Sequence, residues 1–283
     1  MAPDPDQSAM AALIALADHT LALRPGMVVL GLSGPQGSGK STLVAALHRH
    51  MAARAIATVT LSLDDLYRTR AERQRLAEHV HPLLITRGVP GTHDVALGLA
   101  TLAALARGER VPVPRFDKAR DDRRPVDTWD RAPAHTRLVL FEGWCLGARA
   151  QTAAALEQPI NALEAEEDPD AIWRGHVNAA LAGDYADLWA QIDTMAQLRA
   201  PDVATVVAWR QQQEAALRSV AGNAPGVMDD TAVIRFVAHY ERLTRHLLTD
   251  LPDRADLVID LDPGRAVTQI LARYCAATSN AAS

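Results

Sequence analysis

The chain has 283 residues, 48% hydrophobic, 4% aromatic and 22% charged, with a formal net charge of −5 at pH 7. That length and apolar content suffice for one large core, and the acidic balance offers no field for a polyanionic backbone, so nucleic-acid binding is not expected. Cys145 and Cys275 are too few for a disulfide framework, and no run of about 18 apolar residues qualifies as a membrane span, so a soluble protein of the reducing cytoplasm is expected.

Residues 1–23 begin acidic, lack a basic leader region and carry apolar residues at helical spacing, which predicts a packed helix rather than a targeting signal. Met27 to Leu32 then form an apolar run fit for a short buried strand, and Leu43, Val44 and Leu47 mark one face of a helix. Between them lies a glycine-rich turn. Glycine lets backbone N–H groups converge without a Cβ in the way, and a helix start adds unpaired N–H groups and the positive end of its dipole. Gly34, Gly39, Lys40 and Ser41 fit G-x-x-x-x-G-K-[ST], the phosphate-binding loop of nucleoside-triphosphate enzymes. Gly34, Gln36, Gly37, Ser38, Gly39, Lys40, Ser41 and Thr42 are thus expected to cradle the phosphates of ATP. Within that cradle Lys40 reaches the β- and γ-phosphates, and the Ser41 hydroxyl is a Mg²⁺ ligand.

Further along, Ala57 to Leu63 form a second apolar run ending in "DDLY", and Arg137 to Phe141 a third ending in "EGW". A fourth, "DLVIDL", lies near Leu257, and helical patterns cover Asp94 to Arg107 and Ala204 to Arg218. Alternation of this kind predicts an α/β fold with a parallel sheet, whose functional loops sit at the carboxyl ends of the strands. The two acidic loops should therefore face the phosphate loop. Val111 to Pro133, rich in proline, arginine and aspartate, reads as a surface excursion, and Gly147 to Asp170 as an irregular region whose "EAEED" cluster is a solvated face. One domain over 1–283 is expected, with a helical extension at 1–23 and insertions at 111–133 and 147–190.

A phosphate loop serves several enzyme classes. The guanine-reading pattern of GTPases is absent, and no second signature of a transport ATPase follows. A small-molecule kinase needs a carboxylate to accept the proton of the attacking hydroxyl, a metal site and arginines for developing charge. Asp64 is the candidate base, with Asp65 beside it and a helix-capping role as the alternative for either.

"LSLDDLY", "GVPGTHD", "VPRFDK", "LFEGWCLG", "VVAWRQQQE" and "APGVMDDTAVIRFVAHY", in this order, resemble the D-glycerate 3-kinase family, related to uridine and pantothenate kinases. The resemblance implies a three-layer α/β/α P-loop kinase with lid and insertion segments. It implies that Asp64 is the catalytic aspartate, that Glu142 stands near Mg²⁺, and that Arg210 is a lid arginine closing over the phosphates from a helix start. It implies an acceptor site drawn from Asp65, Tyr67, His93 and Asp94, with Arg87, Arg115 and Lys118 as cations for an acid carboxylate; Asp94 capping the next helix is the alternative. "DKARDDRRP" lacks the glycines that plant and fungal members carry there, and Asp122 and Arg123 receive no chemical role. The activity implied is transfer of the γ-phosphoryl of Mg·ATP to a primary hydroxyl of a small hydroxy acid, glycerate first. Alternatives are a nucleoside or pantothenate kinase of the same fold, disfavoured by few aromatics near the motifs, and an ATP-binding regulatory protein, disfavoured by Asp64 and Glu142.

Overall fold

A computed structural model describes residues 7–221 and 228–274. Its sheet is built from β1 (Val28–Ser33), β2 (Thr58–Ser62), β5 (Leu138–Gly143), β6 (Thr194–Arg199), β7 (Leu257–Leu261) and β8 (Val267–Ala272), and a separate hairpin from β3 (Phe116–Asp117) and β4 (Asp122–Arg123). The sheet order is β2-β5-β1-β6-β7-β8, parallel throughout except for the antiparallel edge strand β8. Every residue of β1 is buried, as a central parallel strand covered on both faces requires.

The described residues form ten helices: α1 (Gln7–Leu23), α2 (Lys40–Ala53), α3 (Arg70–His79), α4 (Val95–Ala106), α5 (Ala153–Glu157), α6 (Ala162–Glu167), α7 (Ile172–Ala182), α8 (Asp184–Trp189), α9 (Val203–Ala221) and α10 (Asp230–Asp250). Alternation along the strands divides the core into two layers. Leu30, Leu138 and Ile259 face Leu13 and Leu16 of α1, Leu47 and Met51 of α2, and Trp209 of α9. Val29, Val139 and Phe141 face the other way, onto α4, α8 and α10 through Leu102, Leu188, Leu243 and Leu247. Each such side chain, fully buried, contributes about 1.5–3 kcal/mol, which makes the three layers a single mutually supporting core.

Strand register positions the chemistry. Leu32 of β1 pairs with Glu142 of β5, and Glu142 in turn with Ser62 of β2, so the phosphate loop and the "DDLY" turn leave the sheet at the same carboxyl edge. Among the described residues no helix is long and apolar enough to cross a membrane.

The region from Gly147 to Asp170 departs from the sequence expectation. It contains α5 and α6, and two acids of "EAEED" are interior: Glu164 is 0% exposed and pairs with Arg242 of α10 at 2.5 Å, and Asp168 is buried against Arg174 at 2.9 Å. These paired acids fasten the α6 segment to α10 and α7 rather than facing water. Strands β6 and β8 are additions to the predicted set. Cys275 and the Ala224–Val227 part of the last quoted motif lie outside the described residues.

Candidate active site

The turn after β1 is shaped by glycine. Gly37 and Gly39 hold φ of 80° and 90°, and a Cβ on Gly37 would strike Trp209. Gly39 opens α2, so Lys40 and Ser41 begin that helix. Ser38 is buried and its hydroxyl donates to the Pro35 carbonyl at 2.8 Å, bracing the loop. The Lys40 ammonium donates to the same carbonyl at 3.0 Å. Burial lowers the Lys40 pKa, opposed by the charges of Glu142 and Asp64. Gly34 is pinned by its N–H to the Gly143 carbonyl at 3.3 Å, and Thr42 is exposed in the first turn of α2.

Glu142, near the end of β5, accepts from both neighbours on one oxygen: Ser41 Oγ at 3.1 Å and Ser62 Oγ at 3.0 Å. One carboxylate thereby joins the phosphate-loop hydroxyl to the end of β2. Among the described residues no cluster of three or more His, Cys, Asp or Glu could hold a metal by itself. A hydroxyl and a carboxylate side by side suit a hard cation that takes its remaining ligands from water and phosphate.

Asp64 lies on the 3₁₀ turn Leu63–Leu66, which Ser62 caps. Tyr67 donates to Asp64 Oδ1 at 2.5 Å and the Lys118 ammonium to Oδ2 at 2.5 Å. Burial acts to raise the Asp64 pKa, but the Lys118 charge and the hydrogen bonds from Lys118 and Tyr67 outweigh it, holding the carboxyl below the usual aspartate value. Opposite stands Arg87, ion-paired with Asp121 and lying 6.0 Å from the Tyr67 ring centroid and 5.7 Å from that of Phe116. Arg210 pairs with buried Glu214 and sits 5.0 Å over the Phe236 ring. It occupies the eighth position of α9, two turns inside the helix rather than at its start.

Lys40, Ser41, Asp64, Glu142, Lys118, Arg87 and Arg210 thus share one cleft of about 280 Å³, with Gln36, Gly37 and Tyr67 also in its wall. The other acceptor candidates stand elsewhere. His93 is 1% exposed, bonded through Nδ1 to the Tyr185 hydroxyl at 2.5 Å and stacked on Tyr67 at 4.9 Å; burial presses its pKa to about 3, so the ring is neutral. Asp94 caps α4 through the Leu97 N–H at 3.0 Å and binds Arg123 at 2.9 Å, its capping alternative. Asp65 accepts the Phe116 N–H at 3.0 Å and pairs with Arg115, which also meets Asp130. Asp65, Asp94 and Arg115 brace the β3–β4 hairpin and His93 packs behind Tyr67, instead of lining the cleft.

Sequence reasoning missed Trp144, Gln213, Phe236 and Tyr240, which complete the wall. With Tyr67 they give the cleft four aromatic residues, contrary to the expectation of few. Trp144 was within reach, two residues after Glu142 in "LFEGWCLG"; Gln213, Phe236 and Tyr240 also lie inside quoted motifs, in "VVAWRQQQE" and "APGVMDDTAVIRFVAHY", but on helices whose spacing does not show which face meets the cleft.

No protein-family model matches the chain. A curated relative from Schizosaccharomyces pombe, "Uncharacterized kinase mug58", is 37% identical over 75% of this chain and 78% of its own length. The chloroplastic D-glycerate 3-kinase of Arabidopsis thaliana is 34% identical over 84% of this chain, which spans only 53% of that longer protein. Among solved structures, the D-glycerate 3-kinase of Cryptococcus neoformans superposes with a TM-score of 0.76 at 26% identity, covering 94% of this chain and 98% of that one. The shared sequence and the shared three-layer scaffold agree on one assignment: the chain belongs to the D-glycerate 3-kinase family of P-loop kinases, phosphotransferases with an alcohol acceptor.

Proposed function

We propose that this small-molecule kinase transfers the γ-phosphoryl group of Mg·ATP to the primary hydroxyl of D-glycerate, giving 3-phosphoglycerate. The observation that carries this reading is the ionised Asp64 carboxylate, in one cleft with the phosphate-loop Lys40 on one side and the cations Arg87 and Lys118 on the other. In the proposed reaction the acceptor oxygen bonds to the γ-phosphorus, the bond to the β,γ-bridging oxygen breaks, ADP leaves, and the hydroxyl proton passes to Asp64. A loose phosphoryl transition state needs positioning and charge neutralisation above all. Lys40 supplies charge at the phosphates by exchanging its Pro35 carbonyl for phosphate oxygen, and Arg210 supplies more from α9. Ser41 and Glu142 would hold Mg²⁺, which would neutralise charge on the phosphates. Arg87 presents a planar fork of donors suited to a carboxylate.

The four aromatic residues of the cleft favour one further reading, a nucleoside acceptor. Three of them are already committed: Trp144 and Tyr240 donate to backbone carbonyls, and Phe236 lies under Arg210. An ADP-release assay with D-glycerate, glycerol, uridine and pantothenate at equal concentration separates the possibilities, with identification of the phosphorylated carbon. D-glycerate turns over fastest and glycerol poorly, because glycerol lacks the carboxylate that Arg87 and Lys118 would bind, a charge-assisted hydrogen bond worth about 1.5–3 kcal/mol. Faster turnover of uridine or pantothenate replaces the acceptor; acceptor-independent ADP release alone marks an ATP-binding regulator.

A further inference from the structure

Arg87 reaches the cleft from a short irregular segment, and two buried aromatic residues of the cleft wall hold that segment by its backbone. The Tyr240 hydroxyl donates to the Arg87 carbonyl at 2.7 Å, and the Trp144 indole N–H donates to the Gly88 carbonyl at 2.8 Å. Their rings meet edge to face, 5.0 Å apart at 85°. Tyr240 is 4% exposed and Trp144 5%, so neither bond competes with bulk water. Gly88 has φ of +118°, and a Cβ there would collide with the Tyr240 phenol, so this close approach of ring to backbone requires glycine. Its N–H is taken up by Thr92 Oγ1 at 2.9 Å.

Tyr240 also connects the two halves of the cleft. The Gln36 side chain of the phosphate loop reaches the same phenol. One turn earlier on α10, the Phe236 ring lies 4.9 Å from Tyr240 and carries Arg210 on it at 5.0 Å. The phosphate loop and the Arg87 segment therefore both meet this one side chain, and the α9 arginine reaches it through Phe236.

We infer that Tyr240, seconded by Trp144, is a positioning residue that fixes the Arg87 guanidinium for the carboxylate of a hydroxy-acid acceptor. This rests on the reading of Arg87 given above. A donor held in place before binding loses less freedom on binding, so the effect falls on acceptor affinity more than on the chemical step.

The test is steady-state kinetics of the full chain, varying D-glycerate and ATP separately, with thermal melts as a check on folding. Tyr240→Phe keeps the buried ring and deletes the donor. It raises the KM for D-glycerate about fivefold to twentyfold, the scale of one lost hydrogen bond, with kcat and the KM for ATP within about twofold. Trp144→Phe, acting on Gly88, gives the same pattern and decides the matter if Tyr240→Phe does not fold. Arg87→Ala raises the same KM further, and Tyr240→Phe added to it has no additional effect. Unchanged KM in both aromatic variants, an equal rise in the KM for ATP, or additivity with Arg87→Ala overturns the positioning role. Arg87→Ala without effect on the KM for D-glycerate overturns the carboxylate reading of Arg87 itself, and the positioning role with it.

Discussion

The ammonium of Lys118 stands 2.5 Å from Oδ2 of Asp64, so the carboxylate proposed as base carries its counter-ion on a separate piece of chain, the turn between β3 and β4. Because the folded pKa of Asp64 lies below the unfolded value, its ionised form stabilises the fold above the unfolded pKa, and that contribution is lost as pH falls through the folded one. The acid limb of kcat/KM accordingly lies below an ordinary aspartate pKa of about 3.9. Lys118→Met leaves burial opposed only by weaker partners, and the limb moves to higher pH. A kcat/KM profile against pH for both proteins checks this; an unmoved limb removes Lys118 from control of Asp64.

Asp64 and Asp65 are adjacent but do different work, and isosteric amides separate them. Asp64→Asn keeps the shape of the turn and loses proton acceptance, so phosphoryl transfer falls by about 10²–10⁴-fold while ATP affinity persists. Asp65→Asn weakens the bonds to the Phe116 N–H and Arg115, and its effect appears as about 1–2 kcal/mol of stability. Single-turnover kinetics and urea unfolding of the two variants supply the comparison. The reverse pattern would exchange the roles.

Glu142 accepts two hydroxyl hydrogen bonds on a single oxygen, and an amide there retains the acceptor but not the charge. Glu142→Gln therefore leaves the local packing in place and raises the Mg²⁺ concentration for half-maximal activity about 10–100-fold. A magnesium titration at saturating ATP measures it.

The buried pair of Glu164 and Arg242 gives a prediction about stability alone. Glu164→Ala strands a guanidinium that is 8% exposed, at a cost of about 3–5 kcal/mol. The urea midpoint drops accordingly. A shift under about 1 kcal/mol would mean that the carbonyls of Ala155 and Gln158, which Arg242 also contacts, suffice for it.

The parts of this fold legible in the sequence were those whose burial is uniform. Strands β1, β2, β5 and β7 read as apolar runs because helices cover both their faces. Strand β6 did not, since Thr194, Gln197 and Arg199 interrupt it; each bonds a partner that only the tertiary fold supplies, namely Asp256, the Leu247 carbonyl and Asp260. "EAEED" looked solvated for the same reason, its cations Arg174 and Arg242 being remote in sequence or hidden inside a helix. At the site, local motifs named the phosphate loop, Asp64 and Glu142, which the fold brings into one cleft. They drew His93, Asp94, Asp65 and Arg115 into the acceptor region because spacing along the chain does not reveal which way a side chain turns.

The β3–β4 hairpin is held to the remainder by ion pairs: Arg115 with Asp65, Arg123 with Asp94, Lys118 with Asp64, and Asp121 with both Arg73 and Arg87. The phosphate loop is held by glycine geometry and by hydrogen bonds to its own carbonyls, from Ser38 and Lys40 to Pro35 and from Arg265 to Gly37, rather than by ion pairs. Partly exposed pairs of the first kind are screened as the Debye length contracts from about 10 Å at 0.1 M salt to about 3 Å at 1 M; the second kind are not. The two walls of the cleft therefore answer differently to ionic strength: high salt loosens the wall that carries Lys118 and Arg87 while the phosphate loop keeps its form.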